Sequence, residues 1–145
     1  MCSLLGRPAT SSHPADVGQR TEAIVLAELV RRGHRVLLPY GTNHRYDLVI
    51  DTGTRFLRVQ CKTGRLRGGR ICFKTASTRA NTLRAFTRPY DGEIELFLVY
   101  CPDTDRVYAV DVDKAASSEG VLRVEPTANG QAKGIRWAAD YELPA

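Results

Sequence analysis

Two strand-like runs, YDLVID over residues 46–51 and RFLRVQCK over residues 55–62, flank Thr52-Gly53-Thr54. A glycine in so short a connection admits the backbone conformation that a tight turn needs, so the pair reads as an antiparallel β-hairpin. Nothing else in the chain constrains the fold as strongly. Strand side chains alternate between two faces, and the loop of a hairpin decides which residues oppose one another. With a two-residue loop near Gly53, opposed residues have numbers summing to an odd total, and a Gly53-Thr54 loop sets Asp47 directly across from Gln60. Lys62 then shares their face, while Leu57, Val59 and Cys61 continue an apolar core on the other. A bulge or a three-residue loop would undo this placement, because a one-residue slip turns every side chain over.

The rest of the chain supplies a mixed α/β frame for that hairpin. Residues 1–15, rich in Ser, Thr, Pro and Ala, read as a flexible tail, and residues 16–145 as a single domain, since 145 residues suit one core of ordinary size. Helical periodicity runs from Asp16 to Arg32, with Gly33 placed as a C-terminal cap. Short apolar strands are expected at Val36–Leu38, Arg70–Lys74 and Val121–Val124, and a second hairpin at Glu93–Tyr100 and Arg106–Val112. Residues 64–69 read as a turn, and residues 75–89 as a polar, basic loop or short helix. A helix followed by a mainly antiparallel sheet makes the fold α/β. No apolar run approaches a membrane span, and the start lacks the long apolar centre of a secretory signal, so the expected location is the cytoplasm. The four cysteines form no C-x-x-C pair and are expected to be reduced, as an intracellular chain keeps them.

Charge is segregated. Of the 21 Lys and Arg, ten fall between Thr52 and Tyr90, where there is no Asp or Glu; elsewhere the acids, sixteen in all, outnumber the bases. Such a run predicts a positive face that meets a polyanion, most often nucleic acid. A solvated basic surface without a partner is the plainer alternative.

Three polar residues interrupt apolar surroundings. On a helical projection Glu22 lies within the stripe of Val25, Leu26, Leu29 and Val30, where an ionised carboxylate needs a compensating cation. An exposed acid of the first turns is the other reading of it. Asp47 opens the Leu48-Val49-Ile50 run, a place where Asp is common as a strand-start or turn residue, yet the hairpin brings it to Gln60 and Lys62. Carboxylate and amide oxygens suit a hard cation such as Mg2+, and a nearby ammonium orients an attacking water and stabilises charge building on a phosphate. The chemistry this points to is phosphodiester hydrolysis.

In order and spacing, Glu22 in GQRTEAIVLAELVRRG, Asp47 in YDLVID and Gln60-Cys61-Lys62 in RVQCKTGR resemble the PD-(D/E)XK nuclease superfamily, with its restriction-endonuclease-like fold. Tyr46 stands where the pattern has Pro, and Gln60 where it has an acid, which resembles the Q-x-K branch that includes cyanobacterial intron-encoded homing endonucleases. The resemblance extends through KTGRLRGGRICF and RPYDGEIELFLVYCPDTDRVYAV. It implies a sandwich with a central mixed β-sheet flanked by helices and a Mg2+-dependent DNA endonuclease, Mn2+ serving in place of Mg2+, that is a homodimer or higher homo-oligomer. Asp47 is then the principal metal ligand, with the Cys61 carbonyl beside it, Glu22 acting directly or through water, Gln60 a neutral ligand and Lys62 acting on the water and phosphate.

Thr63, Arg65, Arg67, Arg70, Lys74, Arg79, Arg84 and Arg88 are the expected nucleic-acid contacts, by side chain or through the glycine-rich turns. Tyr40, Phe86 and Tyr90 are candidates for stacking on bases, with a core role as the alternative. His44 lies near Asp47 in a polar loop and is read as a surface histidine. The competing functions are a catalytically inactive DNA-binding protein of the same fold and a structure-specific nuclease acting on Holliday junctions or RNA.

Overall fold

In the computed structural model, which describes residues 5, 6, 8, 10–81 and 84–145 and, of residues 78–81 and 84–86, the backbone alone, the hairpin forms between β2 (Leu48–Asp51) and β3 (Phe56–Thr63). The pairs Leu48↔Val59 and Asp51↔Phe56 fix its register, and Thr52 N–H donates to Arg55 O at 3.0 Å, so that Gly53 and Thr54 make the turn. Gly53 has φ 86°, a conformation open to glycine at no steric cost, and its N–H is held by Asp51 Oδ1 at 2.8 Å.

β1 (Arg35–Leu37) extends the sheet beyond β2, while β8 (Leu96–Cys101) pairs in parallel with β3 and β9 (Arg106–Asp111) pairs antiparallel with β8. The order is β1-β2-β3-β8-β9, a mixed sheet with β3 at its centre. Leu38, expected in the first strand, lies beyond it and is exposed.

One face of this sheet is covered by α1 (Pro14–Arg31). Pro14 opens the helix, where its missing N–H costs nothing, and His13 Nδ1 accepts from Ala15 N–H. Gly33, at φ 82°, ends it. The buried stripe is Thr21, Val25 and Leu29, packed on Leu48, Ile50, Val59, Cys61 and Leu98. Val30 is 57% exposed, so the helix is rotated by about one residue from the projection that groups Val30 with the core. Thr21 takes the core position because its hydroxyl meets Thr63 Oγ1 at 2.6 Å.

A second, three-stranded sheet covers the other face, in the order β10-β5-β4, from β4 (Arg65–Arg67), β5 (Arg70–Lys74) and β10 (Glu119–Arg123). The turn expected over residues 64–69 is confined to Gly68-Gly69, both at positive φ as the tightest hairpin loops require, and the residues before it form β4. Ile71, Phe73 and Leu122 point inward onto Phe97, Val99 and Val110. Gly120 faces Phe73 so closely that a Cβ there would stand 2.2 Å from Phe73 Cζ.

Residues 75–89, expected as loop or short helix, are a β-ribbon instead: β6 (Ala76–Asn81) pairs only with β7 (Arg84–Pro89). Among the described residues neither strand joins another sheet, and only Thr75 and Ala76, at the start of the segment, are buried against the core. The period-two apolar pattern that betrays a strand is therefore missing. A short α2 (Ala138–Tyr141) closes the chain against β9. Cys61 and Cys101 are buried, Cys72 is half-buried, and all three are free thiols; Cys2 lies outside the described residues. No described helix is long and apolar enough to cross a membrane.

Replacing Gly120 with Ala forces the Phe73 ring from its seat. The expected loss is about 1–3 kcal/mol in chemical denaturation, with the fold retained.

Candidate active site and nucleic-acid interface

The β2–β3 pairing ends at Leu48↔Val59; Asp47, one residue outside it, donates its N–H to Val59 O at 2.8 Å and meets Gln60 through its side chain rather than as a paired residue. β2 begins only at Leu48, so where β3 runs on past it the Cys61 N–H has no β2 carbonyl to meet. The Asp47 carboxylate fills that role: Oδ2 accepts from Cys61 N–H at 2.7 Å and from Gln60 Nε2 at 2.7 Å. Oδ1 accepts no hydrogen bond from any described residue, and neither does the Glu22 carboxylate. Glu22 is exposed on α1, outside the buried stripe of Thr21, Val25 and Leu29 rather than within the apolar stripe where the projection set it, and lines the same cleft of about 340 Å³ as Asp47, walled by the loop of residues 38–44 and by Tyr46. His44, read as a surface residue, is exposed and braces that loop, its Nε2 lying 2.7 Å from Tyr40 O.

Both carboxyls sit above their ordinary range. Partial burial raises Glu22, and the charge of Asp47 raises it further. Burial also raises Asp47, against the opposing pull of the Cys61 N–H and the Lys62 charge. Burial and the two carboxylates push the Cys61 thiol up, so it stays protonated and packs as a small apolar group. Two acids that resist ionisation beside each other are receptive to a cation. Among the described residues no three His, Cys, Asp or Glu side chains are grouped to hold a metal. The oxygens on this cleft are the two carboxylates, with the Gln60 amide bonded to Asp47 and the Cys61 carbonyl 3.5 Å from Gln60 Nε2 beside them. An all-oxygen set of this size fits a hard cation that keeps part of its water shell.

Lys62 follows on the same face of β3. Its Nζ donates to the Tyr90 hydroxyl at 3.1 Å and stands 4.8 Å from that ring's centroid. Tyr90 is only 5% exposed and meets Phe97 edge-on, which excludes the base-stacking role considered for it. On the same ring lies the Arg45 guanidinium, 3.9 Å from the centroid. Arg45 also pairs with Glu93 and donates to Ser77 Oγ at 2.6 Å and to Pro89 O at 2.8 Å, tying the base of the β6–β7 ribbon to the lysine's support. Arg45 did not stand out in the sequence as a site residue and Tyr90 did so only as a stacking candidate, since the partners that give them their present role lie dozens of positions away.

The expected nucleic-acid contacts divide. Arg65, Arg67, Arg70 and Lys74 are exposed and form no ion pair among the described residues. With Lys62 and Thr63, three of them, Arg65, Arg67 and Lys74, line a cleft of about 410 Å³ that reaches Gly18 of α1. Thr63 is half-buried and committed to Thr21, and Arg88 is paired with Glu93. The side chains of Arg79, Arg84 and Phe86 lie outside the described residues. Tyr40 is fully exposed beside the Asp47 cleft. Another cleft, of about 550 Å³, lies elsewhere; its arginines are paired with Glu28 and Glu142.

Over residues 12–144 the sequence matches the family model described as PD-(D/E)XK endonuclease. No curated protein matches it. Among solved structures, that of a bacterial homing endonuclease, I-Ssp6803I, superposes with a TM-score of 0.72 at 24% identity, covering 90% of this chain and 89% of that one. At that identity the likeness establishes a shared fold.

The raised carboxyls set a pH dependence. A carboxyl whose folded value exceeds its unfolded one contributes stability below the ordinary carboxylate range, about 4, and loses it as pH rises through the folded value. Asp47→Asn keeps an oxygen for the Cys61 N–H and removes the charge. Without divalent ions its melting temperature should therefore gain on the wild type as pH rises from about 4 to about 7.5, followed by circular dichroism; a constant difference across that range would contradict the assignment.

Proposed function

We propose that this chain, which belongs to the PD-(D/E)XK endonuclease family, is a Mg2+-dependent endonuclease that hydrolyses phosphodiester bonds of DNA. The observation that carries the reading is the Asp47 carboxylate, tied by one oxygen to Cys61 N–H and Gln60 and open at the other, with Glu22 on the same cleft and Lys62 next along the strand face. The fold it shares with a homing endonuclease supports DNA as the substrate.

Asp47, Glu22, the Gln60 amide oxygen and the Cys61 carbonyl are the groups that would hold the ion. Bound there, Mg2+, or Mn2+ in its place, supplies a water acidic enough to attack and a positive charge for the phosphate. The chain's own residues do the rest. Asp47 is locked in orientation by its two hydrogen bonds, so little reorganisation is needed when charge develops. Gln60 replaces an acid by an amide, removing one negative charge from the cation's surroundings while its Nε2 fixes Asp47. Lys62 presents an ammonium from the same face, held against the Tyr90 phenol, where it stabilises charge on the phosphate and orients the water. The unpaired Arg65, Arg67, Arg70 and Lys74 hold the strand by its backbone. The family resemblance and the free thiols extend this reading to a homodimer or higher homo-oligomer acting in the cytoplasm.

Binding without cutting is the second reading, favoured by the lack of a third acid at the site among the described residues.

Nicking of supercoiled plasmid in Mg2+ or Mn2+ separates the two. Asp47→Ala and Lys62→Ala should each slow cutting by roughly 100-fold or more while duplex binding persists, and Tyr90→Phe, which frees the ammonium but keeps the ring, by about tenfold. Wild type that neither cuts plasmid, structured RNA or four-way junctions nor melts higher with Mg2+ leaves only the binding reading. Cutting confined to RNA or to junctions reassigns the substrate.

A further inference from the structure

The outer face of the β4–β5–β10 sheet is built from like charges set side by side. The pairs Arg67↔Arg70 and Arg70↔Arg123 place three arginines directly opposite one another across three strands. Directly opposed strand residues point to the same face. Here that is the face away from the core, because the neighbouring residues Ile71 and Leu122 are 0% and 1% exposed. Two residues along, Arg65 opposes Cys72, and Lys74 lies beyond. The acids near these strands are Glu119, paired in register with Lys74, Glu125, whose side chain lies over Gly69, and Asp103, whose Oδ2 accepts from Leu66 N–H of β4 at 3.0 Å. None of the three forms an ion pair with a described Lys or Arg.

Like charges directly opposed across strands destabilise a sheet. A natural sheet that keeps three of them in one row has a counter-charge to meet. Arg123 is the least satisfied of the three: Nη2 donates to Pro126 O at 3.3 Å, while its buried Nε finds no acceptor. Beside it opens a cleft of about 420 Å³, lined by Val121, Arg123, Thr127, Gln131, Ile135 and Arg136, with no acid among its walls. This cleft and the one beside Lys62 adjoin the same three strands, one reached through β10 and the other through β4 and β5.

We propose that Arg123 and Arg136 continue the Arg67–Arg70 contact across β10 as a further backbone-phosphate site, which extends the grip on the DNA duplex away from the point of cleavage. This rests on the nuclease reading above and extends it to residues outside the basic run of the sequence. A row of guanidiniums meets successive phosphates as a planar, bidentate donor array, without reading bases. The site therefore supplies reach and salt-sensitive affinity rather than sequence preference.

The test is binding of a blunt duplex of about three helical turns in Ca2+, with affinity measured against salt. Arg123→Gln should weaken binding about tenfold and reduce the slope of log affinity against log salt by about 1. Arg136→Gln, a second variant in case the first fails to fold, should act in the same direction. Arg55→Gln, in the β2–β3 turn and off this face, controls for the loss of one charge and should leave the slope unchanged. Inorganic pyrophosphate gives an arm independent of DNA, since it should raise the melting temperature of the wild type more than that of Arg123→Gln. If the wild type binds duplex but Arg123→Gln and Arg136→Gln keep its slope and its pyrophosphate shift, the row is no phosphate site and the nuclease reading stands. Wild type that binds no duplex removes duplex DNA both as the substrate of the proposed nuclease and as the partner of this row, and a pyrophosphate shift equal in wild type and both variants then removes the phosphate site as well.

Discussion

The pairing of β2 with β3 does two jobs at once, and both depend on the turn at Gly53-Thr54. It sends Val59 and Cys61 into the helix-covered core and keeps Gln60 and Lys62 on the opposite face. It also ends one residue short of Asp47, so that a carboxylate rather than a carbonyl receives the Cys61 N–H. Shifting the register by one residue would bury Lys62 under α1 and expose Val59. The alternative is therefore excluded by hydrophobic burial as much as by hydrogen bonding, and the site inherits its precision from the core beneath it.

Around that anchor the molecule separates its charges by sign and by surroundings. Glu22 and Asp47 share a cleft in which each resists ionisation, and Lys62, Arg65, Arg67 and Lys74, none in an ion pair among the described residues, line another cleft that reaches the second sheet. Lys62 stands at the boundary, close enough to lower the Asp47 carboxyl yet held by a neutral phenol rather than by an acid. A salt bridge there would spend the charge. A hydrogen bond to a buried tyrosine positions the ammonium and leaves its charge for an incoming anion. Arg45, stacked on the same ring and paired with Glu93, makes that support rigid and joins it to the β6–β7 ribbon.

Much of this was legible from local pattern. The hairpin, its odd-sum register and the Asp47–Gln60 opposition follow from alternation and one glycine, and the helix from its periodicity and caps. The helix's rotation did not follow, because the residue in the core register is Thr21, whose burial depends on a hydroxyl partner 42 positions away. Nor did the β6–β7 ribbon, which pairs only with itself and so shows no alternation of apolar and polar residues.

Sequence by itself determined the elements whose physics is local: a turn that needs glycine, strands that alternate, a run of bases that no acid interrupts. Only the tertiary structure decided which bases remain unspent, since Arg88 is answered by Glu93 while Arg67 and Arg70, with Arg123 beside them, form no ion pair among the described residues. It likewise decided that Tyr90 is a support for Lys62 and not a surface for bases. The physical reason is distance in space: Lys62 meets Tyr90 across 28 positions and Arg70 faces Arg123 from another strand, and residues so far apart in the chain acquire that closeness only when the two sheets and the helix close around one core.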